Sequence, residues 1–325
     1  MAEIDNLAKK FISDNARFAE LFNYFIYDSE PVISPDDLKP AETEEIVLPY
    51  ANGKKGHIQR YRDTLKLWAV KQDGHALYVL LGGEAQDKIH YAMPVKNMLY
   101  DASNYSTQVE ARARFYRNQA EKEPVTDGEF LSGFHKEDKL IPVITLVISL
   151  REGEWDGPKS IHEMFGNYDD RLLKLVPDYR INLISPGMIS DEALDKMMPD
   201  VDAVFRFIKY SGDKEKILEM FTNNPKFESI DHYSVDLINA VTGSGIKYKT
   251  KKGKVNMCTA MQEIRQDSFS QGISQGISQG IEQGIEQGQF QTLVNLTEKR
   301  YITIEQAAEE AGMSVEEFLE KMKVM

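Results

Sequence analysis

Apolar positions fall in two rhythms along this chain, and the switches between them mark its elements. Between residues 4 and 27, Leu7, Phe11, Phe18, Leu21, Phe22, Phe25 and Ile26 recur at three- and four-residue intervals, which predicts a helix closed by Pro31 and Pro35. From 62 to 86 the residues are β-type: Arg62 to Val70 and Ala76 to Gln86 flank Asp73-Gly74, the dipeptide of a two-residue type I′ hairpin. Met93 to Tyr116 returns to the helical rhythm, with Pro94 well placed near its start. Leu140 to Leu150 is nearly continuous, β-branched and short, as in a strand buried on both faces, with Pro142 confined to its first residues. Arg180 to Ile184 reads as a last strand, and from about Asp191 to Asp267 the pattern is helical, with Phe205, Phe207, Ile208, Phe221, Leu237 and Ile238 on its apolar faces.

The C-terminal part carries the one conspicuous repeat. A four-residue unit runs from Gln271-Gly272-Ile273-Ser274 to Gln287-Gly288, which places Ile273, Ile277, Ile281 and Ile285 in one row and glycine in the row beside it. Two readings stand: a helix that needs a closely packed partner, because each glycine weakens a helix by roughly 1 kcal/mol, or a flexible linker of variable repeat number. Beyond it, Thr303-Ile304-Glu305-Gln306 and Ser314-Val315-Glu316-Glu317 match the capping-box pattern with Gly312 between them. Two short helices so joined suggest a helix-turn-helix, yet Glu305, Glu309, Glu310, Glu316, Glu317 and Glu320 outweigh Lys321 and Lys323. That charge suits a protein contact better than DNA. The apolar rows of repeat and tail point to self-association through residues 270–325.

Composition narrows the class. With 325 residues, 42% hydrophobic and 10% aromatic, the chain is an ordinary globular one. Its single cysteine, Cys258, excludes an internal disulfide framework and a cysteine-based zinc knuckle, and no apolar run reaches membrane-span length, so a cytoplasmic protein is expected. The net charge of −13 argues against a non-specific nucleic-acid coat but not against a phosphodiesterase, whose metal supplies much of the charge neutralisation. The basic groups Arg112, Arg114 and Arg117, and Lys247, Lys249, Lys251, Lys252 and Lys254, read more simply as solvated surfaces.

The hairpin holds the candidate chemistry. A two-residue turn at Asp73-Gly74 pairs positions whose numbers add to 147, so Asp63 faces Glu84. Directly opposed Cβ atoms lie roughly 4.5–5.5 Å apart, a distance at which two carboxylates repel unless a cation sits between them. Gln86, two residues beyond Glu84, projects from the same face. The plainer alternative makes Asp63 a solvent-side strand-end residue and Glu84 a turn carboxylate after Gly82-Gly83, where a β-bulge would shift the register.

The order of these features resembles the PD-(D/E)XK nuclease superfamily, and within it the recombination-promoting nuclease or putative transposase family of bacteria. The resemblance rests on Phe18-Ala19-Glu20-Leu21-Phe22-Asn23, Tyr61-Arg62-Asp63, Gly83-Glu84-Ala85-Gln86, Met93-Pro94-Val95-Lys96-Asn97-Met98-Leu99-Tyr100-Asp101, Leu140-Ile141-Pro142-Val143-Ile144-Thr145-Leu146 and the Gln-Gly-Ile repeat. It implies an α/β core with a mixed central sheet flanked by helices, placed over residues 1–190; the residue pattern itself adds a helical extension over 191–268, the repeat, as linker or helix, over 269–290 and a two-helix acidic tail over 291–325. The resemblance also implies Mg²⁺-dependent cleavage of DNA, with Mn²⁺ as the alternative ion, Asp63, Glu84 and the Ala85 carbonyl as metal ligands, Gln86 beside the attacking water, and Glu20 as an accessory carboxylate. Gln86 departs from the usual lysine, since an amide orients water by hydrogen bonds but brings no charge. The competing expectation is a catalytically inactive nuclease-fold protein that acts through its repeat and tail.

Overall fold

In the computed structural model, which describes residues 2–41, 46–47, 57–58, 63–72, 75–119 and 125–324, the first helical pattern is two helices, α1 (Ala2–Ser13) and α2 (Asn15–Tyr27). The break falls at Asp14, whose extended backbone lets its carboxylate accept from the N–H groups of Ala16 and Arg17. A short acidic side chain that can bond the backbone ahead of it competes with helix continuation and wins as an N-cap.

Five strands then build one mixed sheet, in spatial order β1 (Leu38–Pro40), β2 (Thr64–Gln72), β3 (His75–Gln86), β4 (Val143–Ser149) and β5 (Asn182–Ile184). The first three are antiparallel, and β3, β4 and β5 run parallel. A parallel pair cannot be joined by a tight turn, and α3 (Met93–Asn118) supplies the crossover between β3 and β4. The expected α/β class, with a mixed sheet flanked by helices, is therefore what the chain forms.

The hairpin register runs unbroken from Gln72 opposite His75 to Thr64 opposite Gly83, so Gly82 and Gly83 introduce no bulge. The turn residues Asp73 and Gly74 lie outside the described residues. Glycine at 83 has a packing reason: a Cβ there would stand 3.3 Å from Phe18 Cε2 and 3.4 Å from Ile12 Cδ1, so α1 and α2 could not approach this face of the sheet as closely. Thr64 and Lys66 share that face, meeting Ser13 through Thr64 Oγ1 to Ser13 Oγ (2.9 Å) and Lys66 Nζ to Ser13 O (2.6 Å). The opposite face meets α3, where Thr145 Oγ1 donates to Asp101 Oδ1 at 2.6 Å and Val147 packs with Met93 and Trp155. Strand alternation puts Glu84 and Gln86, which register with Val147 and Ser149, on the α3 side.

Two compact units emerge, 1–261 and 262–325. The first includes the helical extension, where α4 (Pro199–Lys209) and α5 (His232–Thr242) pack together and α1 packs on α5. Val201, Val204 and Phe205 of α4 are wholly buried. The second unit contains most of α6 (Met257–Glu298) together with α7 (Ile304–Glu310) and α8 (Val315–Val324). Both expected capping boxes form: Gln306 N–H donates to Thr303 Oγ1, Glu317 N–H donates to Ser314 Oγ, and each side chain at the third position reaches back. The tail's apolar face is spent within this unit, with Ala307, Ala308 and Phe318 buried against Phe290 and Val294 of α6. Of the two readings of the repeat, the helix is the one seen, since all of it lies inside α6. Among the described residues no helix is long and apolar enough to cross a membrane.

Candidate active site

Three neighbouring backbone positions organise the site at the open end of the hairpin. Asp63, the residue before β2, turns its Oδ2 to accept from the Ala85 N–H at 2.9 Å, which ties it to β3 across from Glu84. Glu84 is 2% exposed on the interior strand of the sheet, and its Oε2 has no hydrogen-bond partner. Gln86 folds back towards Glu84, its Nε2 donating to the Ala85 carbonyl at 2.8 Å and to Glu84 Oε1 at 3.3 Å. Asp63, Glu84, Ala85 and Gln86 are thus brought together, as the turn symmetry requires.

The sequence reading missed a fifth member. Lys96, in the first turn of α3, donates from Nζ to Glu84 Oε1 and lies 5.7 Å from the centre of the Tyr100 ring. One signal for it was available: a cation in the first turn opposes the positive end of the helix dipole, so an anion should face it. From α1, Lys9 and Asp5 also reach Asp63 electrostatically.

Burial sets the electrostatics. Desolvation pushes the Asp63 carboxyl above its ordinary value, opposed by the Ala85 N–H, Lys96 and Lys9. Glu84 is raised first by burial and next by the Asp63 charge, with the Lys96 ammonium and the Asp63 backbone N–H pulling the other way. Two carboxylates that each resist ionisation, one with an orphaned oxygen, form a site that favours additional positive charge.

Mg²⁺ commonly takes only one or two carboxylates and keeps several waters, so a dedicated cage is not required. Among the described residues no three His, Cys, Asp or Glu side chains cluster in a metal-holding group. Asp63, the free Oε2 of Glu84 and the Ala85 carbonyl nonetheless fit such an ion, because the unpartnered buried oxygen has no protein donor to satisfy it.

Comparison with protein-family models, curated proteins and solved structures finds no significant match. The functional reading therefore rests on geometry.

Glu20 is not brought to this cluster. Its Oε1 accepts from the Met198 N–H at 3.0 Å, at the entrance of α4, and burial raises its carboxyl above the ordinary value. A carboxylate at a helix N-terminus suits the dipole. Glu20→Ala is expected to lower stability by about 1 kcal/mol and to leave any cleavage within about threefold of the parent. A thermal melt run beside a plasmid-nicking assay checks this, and loss of cleavage with an unchanged melt would return Glu20 to the site.

The basic surfaces are partly neutralised by the chain's own acids. Arg112 Nε lies 3.6 Å from Asp138, Arg114 Nη2 3.5 Å from Glu110, and Lys254 Nζ 3.8 Å from Asp200.

Proposed function

We propose that Asp63, Glu84, Gln86 and Lys96 are the active site of a Mg²⁺-dependent DNA endonuclease of the PD-(D/E)XK type. One observation carries the reading: a half-buried and a fully buried carboxylate, Asp63 and Glu84, converge at the end of an antiparallel hairpin, with an orphaned oxygen on Glu84 and an ammonium from the following helix. The order of hairpin, helix and parallel strand is the order that the resemblance calls for.

Asp63, Glu84 and the Ala85 carbonyl would hold the ion, which when bound supplies charge neutralisation at the scissile phosphate. Gln86 presents its amide beside Glu84, where it can orient a water without charging it. Lys96 brings the positive charge that the amide lacks, close to where negative charge builds on the phosphate. The division of labour between Gln86 and Lys96 resolves the departure at position 86 in this reading.

Lys96→Met should then lower Mg²⁺-dependent nicking by roughly 10²-fold or more. Adding Gln86→Lys to that variant should recover part of the loss, since the ammonium returns from the neighbouring strand. Full activity in Lys96→Met would remove the lysine from the mechanism. The competing reading, an inactive interaction protein, draws on the same Lys96–Glu84 pair, which could be a structural ion pair. Nicking of supercoiled plasmid with Mg²⁺ or Mn²⁺, abolished by chelator, separates the two; no cleavage under any metal supports the interaction protein.

A further inference from the structure

The repeat in α6 is a helix face without a partner among the described residues of its own unit. Ile273, Ile277, Ile281 and Ile285 are 47%, 57%, 59% and 55% exposed, and Phe269, one position further along the same row, is 70% exposed. The adjacent glycines Gly272, Gly276, Gly280, Gly284 and Gly288 have nothing beyond the helix's own backbone within 4 Å of a notional Cβ. None of these glycines is required by a turn, a positive φ or a close neighbour among the described residues. Among the described residues of the second unit, nothing uses the space that the missing Cβ atoms leave.

A four-residue period has a defined packing consequence. Residues spaced by four lie on ridges inclined about −26° to the helix axis, and two helices that interlock such ridges cross at about −50°. Here one ridge is all isoleucine and the groove beside it all glycine, so the segment carries both the knob and the slot. An identical helix laid across it by a two-fold axis puts each isoleucine ridge into the other's glycine groove, which is the self-matching arrangement of an isologous contact. The row drifts about 40° per repeat along a straight helix, so a side-by-side pairing would soon lose contact, while a crossing uses the drift. Charge does not oppose the meeting: from 268 to 291 only Glu282 and Glu286 are charged.

We infer that α6 crosses the same helix of a second copy of this chain through the Ile273–Ile285 ridge and the Gly272–Gly288 groove. The occupant is a second copy because the segment itself offers both halves of the match, and because the tail's own apolar side chains are already buried against Phe290 and Val294. A single helix crossing falls below the standard interface of roughly 1,600 Å², so a reversible, concentration-dependent dimer is expected. This inference does not depend on the nuclease reading.

Sedimentation velocity of the full chain from roughly 1 to 100 µM tests it. The mass should rise with concentration from 37.1 kDa towards twice that value. The deciding variant replaces Gly276, Gly280 and Gly284 by leucine. Leucine is the better helix former and adds apolar surface, so a merely sticky helix would gain helicity and associate more strongly. Ridge-in-groove contact predicts the opposite pairing: higher helicity by circular dichroism, with association weakened by roughly 100-fold because the slot is filled. Ile277→Ser with Ile281→Ser should also leave monomers, while the melting of the first unit stays unchanged. A wild-type chain that remains monomeric throughout, or a leucine variant that associates as well as the parent, overturns the inference.

Discussion

Glu84→Gln should reduce metal-dependent cleavage by roughly 10³-fold or more, about 4 kcal/mol of transition-state stabilisation, and yet raise the melting temperature. Asp63→Asn should behave alike. Both amides keep the acceptor oxygen that the structure uses, towards Lys96 Nζ in one case and the Ala85 N–H in the other, and remove only the charge. That charge is a burden in the metal-free fold, because burial raises both carboxyls and the Asp63 charge raises Glu84 further. Each pKa unit relieved is worth about 1.4 kcal/mol, and in a unit of this size about 2–4 °C per kcal/mol.

The pH dependence has a definite sign. A carboxyl raised in the folded state binds more protons there than in the unfolded chain. Its contribution is fully favourable below the ordinary carboxylate range, near pH 4, and is lost as pH rises through the elevated folded value. Glu84→Gln and the parent should therefore melt together at low pH and separate as pH rises, with the variant higher. Melts in chelator from roughly pH 4 to 8, paired with the nicking assay, measure both effects. A variant that cleaves normally, or that loses several degrees at neutral pH, would assign Glu84 a structural role instead.

The largest loss of stability is expected away from the hairpin, at Asp202. This carboxylate is completely buried on α4 and accepts from Arg206 Nε at 2.7 Å and from Lys226 Nζ at 2.5 Å. Arg206 is itself buried and also reaches Asp195 at 2.6 Å, while Lys226 Nζ donates to the carbonyls of Leu194 and Asp195. Asp202→Ala leaves Arg206 with only the exposed Asp195 and takes from Lys226 the carboxylate it donates to, and breaking a buried pair in this way costs about 3–5 kcal/mol. On the same scale that is about 6–20 °C of melting temperature. Asp195→Ala is the control, because its carboxylate is 68% exposed and its pair with Arg206 should contribute under about 1 kcal/mol. Thermal denaturation of the two variants side by side decides: equal, small losses would mean that water reaches Arg206 and Lys226 once Asp202 is gone.

Much of the architecture could be read directly from the chain, because it depends on residues close together in it. The β-type runs 64–72 and 75–83 pair in the register that places Asp63 across from the Glu84 position, and strand alternation then puts Gln86 beside Glu84. The capping boxes at Thr303 and Ser314 and the apolar run that became β4 were legible for the same reason: partner and signal lie within four residues or within one strand. Asp14 was a local signal left unread, since it breaks the N-terminal helix by bonding the backbone two and three residues ahead.

Other features needed the folded chain. Lys96 meets Glu84 only because residues 87–92 return α3 over the end of β3, a geometry to which hydrophobic period is blind. Glu20 lies beside an apolar stripe, and periodicity assigns such a position to the helix margin without saying what faces it; the answer is the Met198 N–H, 178 residues away in sequence. The glycines at 82 and 83 could have signalled a bulge or a close approach; the register has no bulge, and at Gly83 it is the packing of Phe18 and Ile12 on the far side of the sheet that requires the approach. Local rules stop at the reach of one turn or one strand pair, whereas these contacts are set by how whole layers pack.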